Sequence, residues 1–338
     1  MNDISTIAID LAKSVFQLCI VSGHNNKVSK QLRLSREKFR QFMLEQAPSR
    51  VVMEACYSSH YWARLFQQQG HQILLIPAQH VTPFVRGNKN DQNDALAIYE
   101  ASMRPNIRFV PIKSLGQQDV QSLHRMRERL VKDRTALCNQ MRGLLTDYGY
   151  IFPAGINAVF KGLREILEQG ELSGMMQSEL NWTLIEYDLL SRRIDHINDE
   201  LKRYGEQDQQ CQNLISIPGI GPHIATAIKS TVGNAEVFHN SRDFAAWTGL
   251  TPRQKASGHK SVMSGITKRG DAYLRKLLVQ AARHTLRWAK RNQDTNLARW
   301  MIDIVQRRGL HKGVVAIAHK LARIIWSVLT RQAVFNPA

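Results

Sequence analysis

Four acidic residues in the first hundred positions, Asp10, Glu54, Asp91 and Asp94, have the chemistry needed to hold a metal ion. Asp10 ends the apolar run IAID and Glu54 ends the run VVME, so both carboxylates lie where desolvation is costly without a partner. Asp91 and Asp94 are three residues apart at the start of a predicted helix, so they can point the same way. Hard oxygen ligands suit Mg²⁺ or Mn²⁺, which activate a nucleophile and stabilise charge on a phosphoryl group. The predicted chemistry is displacement at a phosphodiester of nucleic acid.

Each of these acids also has an ordinary structural interpretation. Asp10 could close a turn, Glu54 could be a solvated strand end, and Asp91 or Asp94 could cap the following helix. Taken singly, these interpretations stay open. The occurrence of all four acids in one region, in this order, favours the metal site.

A second group of reactive side chains lies in residues 249–282, where a loop rich in Pro, Ser and Gly is predicted to precede a helix. A hydroxyl in so basic a loop could attack a phosphodiester while the cations stabilise the developing charge. Chemistry alone leaves Ser257, Ser261 and Ser264 as equal candidates, and a loop that only grips phosphate also stays open. The basic residues expected to contact nucleic acid are Arg253, Lys255, Lys260, Lys268, Arg269 and Arg275.

A third motif, ISIPGIGPHIATAI at residues 215–228, has the pattern of a helix-hairpin-helix. In that motif, glycines leave backbone N–H groups exposed to a phosphate oxygen at a helix N-terminus. Gly219 and Gly221 are therefore candidate nucleic-acid contacts. The alternative is a tight turn between two helices, in which the glycines serve only packing.

The charge of the chain favours a polyanionic partner. The formal net charge is +18 over 338 residues, and residues 241–338 carry 19 Lys and Arg against 4 Asp and Glu. A helix surface that merely needed solvation would mix the two signs. Nucleic acid is the expected partner of this C-terminal region, although composition does not distinguish DNA from RNA.

The compartment predicted from the sequence is the cytoplasm. The four cysteines lie far apart with no C-x-x-C pair, which indicates neither a zinc ribbon nor a disulfide framework. No signal sequence and no uninterrupted apolar run of membrane-spanning length is evident, so no membrane partner is expected.

Three regions are predicted to position these residues. Residues 1–112 alternate strand and helix patterns, which predicts an α/β domain with a partly parallel sheet. Residues 113–208 contain two long amphipathic helices, near 115–148 and 177–204, that could fold back on each other or pair with another subunit as a coiled coil. The stretch between these helices, 152–173, has the glycines and proline of a connector. Residues 209–338 are predicted to be mainly α-helical.

The motifs together resemble those of the DEDD insertion-sequence transposases, which are relatives of the Piv-type DNA invertases. They are, in order along nearly the whole chain, IAIDLAK, VVMEACYSSHYWARL, KNDQNDA, IPGIGPHIATAI and GLTPRQKASGHKSVMSGITKRGDAYLRK. The resemblance implies an N-terminal RuvC-like domain of RNase H fold, a coiled-coil middle and a C-terminal transposase domain.

The resemblance also assigns roles to residues. It implies that Asp10, Glu54, Asp91 and Asp94 bind Mg²⁺ or Mn²⁺, and that Ser257, directly before Gly258, is the nucleophile and forms a transient phosphoserine link to DNA. It implies a homo-oligomer, a dimer or a tetramer, in which the serine of one subunit works beside the carboxylates of another. Because several members use a structured non-coding bridge RNA, a bridge RNA that pairs with donor and target DNA is an expected partner.

The function expected from the sequence is therefore site-specific DNA transposition or recombination. Three alternatives stay open: a junction-resolving nuclease that uses the carboxylates and water, a site-specific DNA invertase, and a non-catalytic nucleic-acid-binding protein or repressor. Replacement of Ser257 distinguishes the nuclease, replacement of Asp10 or Asp94 distinguishes the repressor, and only the DNA substrate distinguishes the invertase.

Overall fold

The chain forms two compact units, Met1–Ser114 and Leu115–Ala338, in the computed structural model. The backbone is described for residues 4–24, 27–85, 91–233, 235–257 and 260–336. The side chains of Asp91, Gln92 and Lys260 lie outside the described set. The predicted division of the second unit near residue 208 stays a prediction.

The first unit is a mixed α/β structure, as the alternating pattern predicts. Its elements are β1 (Thr6–Asp10), β2 (Val15–Val21), β3 (Val28–Ser35), α1 (Arg36–Glu45), β4 (Arg50–Glu54), α2 (Ser59–Gln68), β5 (Gln72–Ile76), α3 (Ala78–Val81) and α4 (Asp91–Ser102). The sheet order is β3-β2-β1-β4-β5. The first three strands form an antiparallel meander, and β1, β4 and β5 run parallel, as the predicted partly parallel sheet requires. This arrangement fits the predicted RNase H-like fold.

Both faces of this sheet are covered by helices. Because side chains alternate along a strand, Ile7 and Ile9 join an aromatic core with α1 and α2, whereas Ala8 faces the opposite core with α4. Phe39 and Trp62 pack with their ring centroids 4.9 Å apart in the first core. The second core contains small side chains, since α4 buries Ala95, Ala97 and Ala101. The helix α4 can therefore approach the sheet closely.

The second unit is mostly helical, as predicted for the C-terminal part of the chain. Its elements are α5 (Leu115–Thr146), α6 (Ile156–Gln169), α7 (Gly174–Gln207), α8 (Gln209–Ile215), α9 (Pro222–Val232), α10 (Ser241–Trp247), β6 (Pro252–Ser257), β7 (Lys260–Ile266), α11 (Ala272–Arg291), α12 (Asn296–Arg308) and α13 (Leu310–Arg331).

The long helices α5 and α7 pack on each other in antiparallel fashion within the chain. Arg127 donates to Asn198 at 2.5 Å, and Arg134 further along α5 donates to Ser191 further back along α7. Leu130 and Ile197 belong to the buried cluster between them. Of the two arrangements predicted for these helices, the structure contains the fold-back; a coiled coil with another subunit stays a prediction.

The predicted connector at 152–173 is wrong, because α6 occupies most of it. The buried residues Val159, Phe160, Leu163 and Ile166 have helical spacing. Of the glycines that suggested a connector, Gly155 and Gly170 lie at the two ends of the helix, and Gly170 ends it in the left-handed conformation with φ of +70°. Gly162 lies inside the helix, where an added Cβ would overlap with Phe152. Gly155 and Gly170 correctly indicated breaks in the chain, but the short amphipathic helix between them was overlooked.

The core of the C-terminal half is formed by helices α8 to α13, with α13 at its centre. This helix buries Gly313, Ile317, Leu321 and Ile325 along one face. By length and mean hydropathy, α13 is apolar enough to cross a membrane, but half of its most apolar window is buried inside the unit. Its composition is therefore that of a core helix.

The predicted loop before α11 is also wrong, since β6 and β7 form an antiparallel hairpin there. All described side chains of β6 are exposed, and those of Val262 and Met263 on β7 are exposed although apolar. The polar composition of a strand with no buried face resembles that of a loop, which explains the error. An isolated two-stranded hairpin is marginally stable in water, so its order depends on what holds its base.

Candidate functional site

Asp10 and Glu54 lie side by side at the carboxyl edge of the sheet. The parallel strands β1 and β4 pair in the register Ile9 with Met53, so the next residues along each strand are the two acids. Asp10 is two residues beyond Ala8, and Glu54 is two beyond Val52. Because Ala8 and Val52 face α4, both acids point to the α4 side of the sheet.

Asp94 lies in the first turn of α4 and approaches the same edge. Desolvation, followed by the charge of Asp94, raises the pKa of Glu54 above its ordinary value. The alanines on the buried face of α4 allow this approach, because larger side chains would hold the helix away from β1 and β4. Three of the four predicted acids thus lie at one edge of the sheet, and the side chain of Asp91 lies outside the described set.

The pKa of the Cys56 thiol depends on the negative charge of these acids. Burial, followed by the charges of Glu54 and Asp10, raises the pKa of Cys56 to about 11. The thiol is therefore protonated at neutral pH, and its Sγ lies 3.4 Å from the Tyr57 carbonyl oxygen. We therefore do not expect the protonated thiol of Cys56 to bind metal, since thiolate is the form that binds metal.

The donor chemistry at this edge fits a hard divalent cation. Asp10, Glu54 and Asp94 supply only carboxylate oxygens, and no ion pair with a described Lys or Arg offsets the charge of Glu54 or Asp94. Among the described side chains, no three acidic, His or Cys groups already lie at metal-binding separations. Binding would therefore require the acids to draw closer, or Asp91 to complete the set.

An exposed tyrosine beside this edge was missed by sequence reasoning. Tyr57 follows Glu54 by three residues and is 93% exposed. The next residue, Ser58, adopts the left-handed conformation with φ of +71°, which is uncommon for a residue with a side chain. Ser59 fixes this turn by donating to the Cys56 carbonyl oxygen at 2.8 Å. The sequence feature that could have indicated this exposed tyrosine is an aromatic residue within the polar run CYSS.

Ser257 lies at the end of β6, opposite Lys260 on β7. Its side chain is exposed and makes no hydrogen bond to any described residue. Gln254 donates to Ser261 at 3.0 Å, whereas Ser264 donates to the Arg253 carbonyl oxygen at 3.3 Å. Of the three candidate serines, Ser257 is the one whose hydroxyl is not engaged within the described hairpin.

The base of this hairpin is held by close backbone contact. A Cβ added to Gly249 would overlap with Arg269 O, and one added to Gly270 would overlap with Trp247 O. Both glycines also have positive φ, of +74° and +85°. The backbone N–H of Lys268 donates to Gly249 O at 3.1 Å across the same junction. The two ends of the hairpin therefore cross at van der Waals distance.

Arg275 reinforces this crossing from α11. Its Nη1 lies 3.2 Å from Thr248 O and 3.3 Å from Arg269 O, so the guanidinium donates to carbonyls on both sides of the hairpin base. The sequence predicted a nucleic-acid contact for this residue, and its observed contacts are with the protein backbone. The other described cations predicted for this interface, Arg253, Lys255, Lys268 and Arg269, have exposed side chains.

The turn between α8 and α9 contains the two glycines of the proposed helix-hairpin-helix. Gly219 has φ of +86°, and a Cβ there would overlap with Thr285 of α11. Thr285 donates to Pro218 O at 2.7 Å, so this part of the turn packs on α11. Gly221, at the N-terminus of α9, has open space around its Cα. The packing interpretation accounts for Gly219. At Gly221 there is room for the phosphate backbone of a nucleic acid to approach.

A buried polar network that the sequence did not reveal links α5, α9 and α11. Tyr273 Oη lies 3.0 Å from His124 Nδ1 and 3.1 Å from His223 Nε2. Thr226 Oγ1 lies 3.0 Å from His124 Nε2 and donates to Pro222 O at 2.8 Å. Because the Thr226 hydroxyl has this carbonyl as an acceptor, we assign His124 Nε2 as the donor to Thr226.

The direction of the remaining bonds follows from this assignment. Burial lowers the pKa of His124 to about 3, so its imidazole is neutral and Nδ1 accepts from Tyr273. The Tyr273 oxygen then accepts from His223 Nε2. Burial also lowers the pKa of His223 to about 4 and raises that of Tyr273 to about 12. The network is thus a chain of neutral groups whose hydrogen bonds run in one direction. It lies at the start of α11, directly after the hairpin base.

Two family models match this chain. One, described as a transposase of the DEDD group, matches residues 7–150, and the other, described as the transposase IS116/IS110/IS902 family, matches residues 211–296. The first match contains all four acids, and the second contains Ser257 with its hairpin.

Full-length relatives carry matching descriptions. The transposase for insertion sequence element IS1111A of Coxiella burnetii is 41% identical, over 99% of this chain and 92% of the relative. The transposase for IS1328 of Yersinia enterocolitica is 40% identical over 99% and 100%, and a "Probable family 20 transposase" of Pseudomonas aeruginosa is 41% identical over 99% of both chains. With the acid edge and the basic helical unit described above, these matches establish that the chain belongs to the IS116/IS110/IS902 family of transposases, which are DNA-recombining enzymes.

Proposed function

We propose that this chain cuts and rejoins DNA with Asp10, Glu54, Asp91 and Asp94 as the metal-binding set and Ser257 as the nucleophile. Mg²⁺ held there would stabilise charge on the phosphoryl oxygens of the scissile phosphate. Ser257 Oγ would lose its proton and bond to phosphorus, while the bond from phosphorus to the leaving deoxyribose oxygen breaks and that oxygen takes a proton. Attack by a hydroxyl of another DNA strand on the phosphoserine would release Ser257 and rejoin the strands.

The observation that carries this proposal is the convergence of Asp10, Glu54 and Asp94 at one sheet edge. They come from three elements spread over 85 positions, and Glu54 is partly desolvated and repelled by the charge of Asp94. A turn, a strand end or a cap needs only one acid. A shared cation gives a reason for all three.

The hairpin supports Ser257 as the nucleophile. Its hydroxyl is exposed, makes no hydrogen bond within the described residues and is flanked by exposed Lys255. Among the described residues, the hairpin is anchored at its base, by Gly249, Gly270 and Arg275, so its tip can enter a DNA groove or a partner's active site.

The decisive experiment replaces the three serines one at a time. Incubation with Mg²⁺ and DNA carrying the element ends should trap a covalent chain–DNA adduct on a denaturing gel. Ser257→Ala should abolish both the adduct and strand cleavage, whereas Ser261→Ala and Ser264→Ala, which alter the same hairpin, should retain them. Continued cleavage by Ser257→Ala would instead identify a nuclease that uses water, as a junction resolvase does.

Replacement of the acids tests the metal-binding set. Asp10→Asn and Asp94→Asn should abolish cleavage while DNA binding persists. If both variants leave every activity of the chain unchanged, the repressor alternative is correct. A DNA invertase would pass all of these tests, and the structure of the preferred DNA substrate distinguishes it from a transposase.

The proposal extends to assembly and partners. We infer a homo-oligomer, a dimer or tetramer joined through the long helices, because α7 exposes Trp182, Ile185 and Leu189 on one face. A helix-hairpin-helix that contacts backbone phosphate would use Gly221 at the start of α9. The compartment that we propose for this assembly is the cytoplasm.

A bridge RNA is the remaining partner proposed. The excess of 19 cations over 4 acids in residues 241–338 is large enough to serve RNA as well as DNA. The test is to isolate the chain from cells that carry its element and to sequence the RNA bound to it. A discrete RNA encoded beside the gene supports guided targeting, and random fragments of cellular RNA contradict it.

A further inference from the structure

A groove of about 580 Å³ lies between α11 and α13, on a surface to which neither the motifs nor the family comparisons assign a role. Its rim carries Arg283, Arg287 and Lys290 of α11, and its floor is apolar. The three cations are exposed and are spaced four and three residues apart, so they project from one face of the helix. The floor is formed by Val279, Leu286, Val314 and Val315.

No acid balances these cations. Neither α11 nor α13 contains a single Asp or Glu along its whole length, and the groove lining contains none. Among the described residues, none of the three rim cations forms an ion pair. Lys290 lies in the last turn of α11, where the helix dipole favours a cation. Arg283 and Arg287 lie in the middle of the helix, where the dipole gives no such reason.

The apolar floor strengthens the field of the rim. Arginine stems lie along apolar surface while their charged ends stay in water, so the floor supports the stems of Arg283 and Arg287. A low-dielectric wall beside charges of one sign focuses their field into the groove. A row of three cations beside an apolar floor therefore favours an extended anionic ligand.

The spacing of the row matches a DNA strand. Seven residues of helix separate Arg283 from Lys290, which is about 10 Å at 1.5 Å per residue. Successive phosphates of one strand rise about 3.4 Å along the duplex axis and lie farther apart along the strand itself, so three cations on long, flexible side chains in this row can each reach one phosphate. Unpaired bases would need aromatic faces for stacking, and the groove lining contains no Phe, Tyr or Trp.

We propose that the groove between α11 and α13 grips the sugar-phosphate backbone of one strand of duplex DNA, outside the strand-exchange site. The phosphates pair with Arg283, Arg287 and Lys290, and the sugar edges lie over the apolar floor. Such contacts position the duplex and carry no sequence information. The groove therefore acts on every DNA that the enzyme handles, whether or not the sequence is an element end.

The test measures the salt dependence of binding to a duplex of arbitrary sequence. The full chain is used with a chelator present, so that no strand is cut and the result does not depend on Ser257 or the acids. The variant R283Q/R287Q/K290Q is compared with R299Q/R308Q/R331Q, which removes three exposed arginines of the same unit outside the groove. Equal melting temperatures of both variants and the parent confirm that the fold is intact.

The groove variant should lose about three phosphate contacts. The slope of log K against log salt then becomes shallower by about 2.7, which reduces the affinity loss between about 50 and 200 mM salt roughly 40-fold. The control variant should keep the parental slope. Equal changes in both variants, or no change in the groove variant, would overturn the proposal.

Two further outcomes would also overturn it by revealing another occupant. If the groove variant loses binding to a structured RNA hairpin while its duplex DNA slope is unchanged, the groove is an RNA site. If its DNA slope is unchanged and its mass by light scattering falls, the groove is a contact between copies of the chain.

Discussion

The carboxylates at the sheet edge act against the stability of the first unit. Glu54 is partly desolvated and faces the charge of Asp94, so its ionised form is disfavoured in the fold. Such local conflict is typical of functional sites, where function opposes stability. A bound cation would remove it, and the unfolded chain could not bind that cation as tightly.

Metal should therefore stabilise the fold, and Asp94→Asn should separate the two effects. Without metal, this variant relieves the repulsion on Glu54 and should melt at the parental temperature or a few degrees above it. With Mg²⁺ added, the parent should gain stability, and Asp94→Asn should gain much less. Scanning calorimetry with and without Mg²⁺ measures both effects. A parent that melts identically in Mg²⁺ and in chelator would contradict the metal site.

The hydroxyl of Tyr273 holds the network of the second unit together. Tyr273→Phe leaves His124 Nδ1 and His223 Nε2 without their partner, and a buried polar group without a partner costs about 1–3 kcal/mol. We expect the unfolding free energy of this unit to fall by about 2 kcal/mol in urea titrations. Tyr148→Phe removes an exposed hydroxyl of the same unit as the control. A loss below about 0.5 kcal/mol would mean that water replaces the hydroxyl.

The two imidazoles make the stability of this unit depend on pH. Their pKa values are lowered to about 3 and about 4 in the fold, against about 6.5 in the unfolded chain. Between those values the unfolded chain binds more protons, so the unfolding free energy falls as pH falls from about 6.5 to 4. Each imidazole contributes at most about 1.4 kcal/mol per pH unit. His124→Gln should make the unfolding free energy depend less on pH, whereas His239→Gln, which replaces an exposed histidine, should keep the parental dependence. Equal slopes of the unfolding free energy against pH in the parent and both variants would refute the role of His124.

At the scale of elements, the strands of the first unit were predictable and the hairpin was not. Strands β1 to β5 follow the predicted alternation of strand and helix patterns, because each pairs apolar periodicity with turn signals. The hairpin of β6 and β7 has no buried face, so no periodicity marks it. The helix α6 was missed because the glycines at its ends and Gly162 in its interior were interpreted as a connector.

The same distinction applies to the candidate site. The acids were identifiable, since Asp10 and Glu54 end apolar strands. The electrostatic interaction of Asp94 with Glu54 depends on the close approach of α4, and the Tyr273 network depends on helices more than a hundred positions apart. Arg275 could not be distinguished from its basic neighbours until its contacts with Thr248 and Arg269 were known.

The base of the hairpin depends on two glycines that leave no room for a Cβ. Gly249→Ala and Gly270→Ala each force a Cβ into backbone at a positive φ, so each should lower the unfolding free energy by about 2 kcal/mol or more. Gly265→Ala, on β7, meets no neighbouring atom and should change it by less than about 0.5 kcal/mol. Limited proteolysis should cut the hairpin faster in the first two variants only. Equal cleavage of all three would show that the crossing does not hold the hairpin.

At the scale of the whole molecule, charge and apolar surface are segregated. Cations concentrate in the last hundred residues, whereas the middle region exposes an apolar stripe on α7. Helix α7 already packs against α5 on its other side, so the stripe is not needed for the fold of one chain. A contiguous exposed apolar stripe of this kind marks an interaction surface.

That stripe should control the size of the assembly. Trp182, Ile185 and Leu189 are 64%, 56% and 62% exposed and occur at helical spacing, as residues of a helix-to-helix contact do. Trp182→Glu and Leu189→Glu would bury a charge in that contact, so each should shift the chain to a smaller species in light scattering, at unchanged melting temperature of the second unit. Asn181→Glu adds the same charge beside the stripe and should leave the mass unchanged. If the parent is itself monomeric at micromolar concentration, or if all three variants keep the parental mass, the stripe joins no subunits and the assembly must form through another surface.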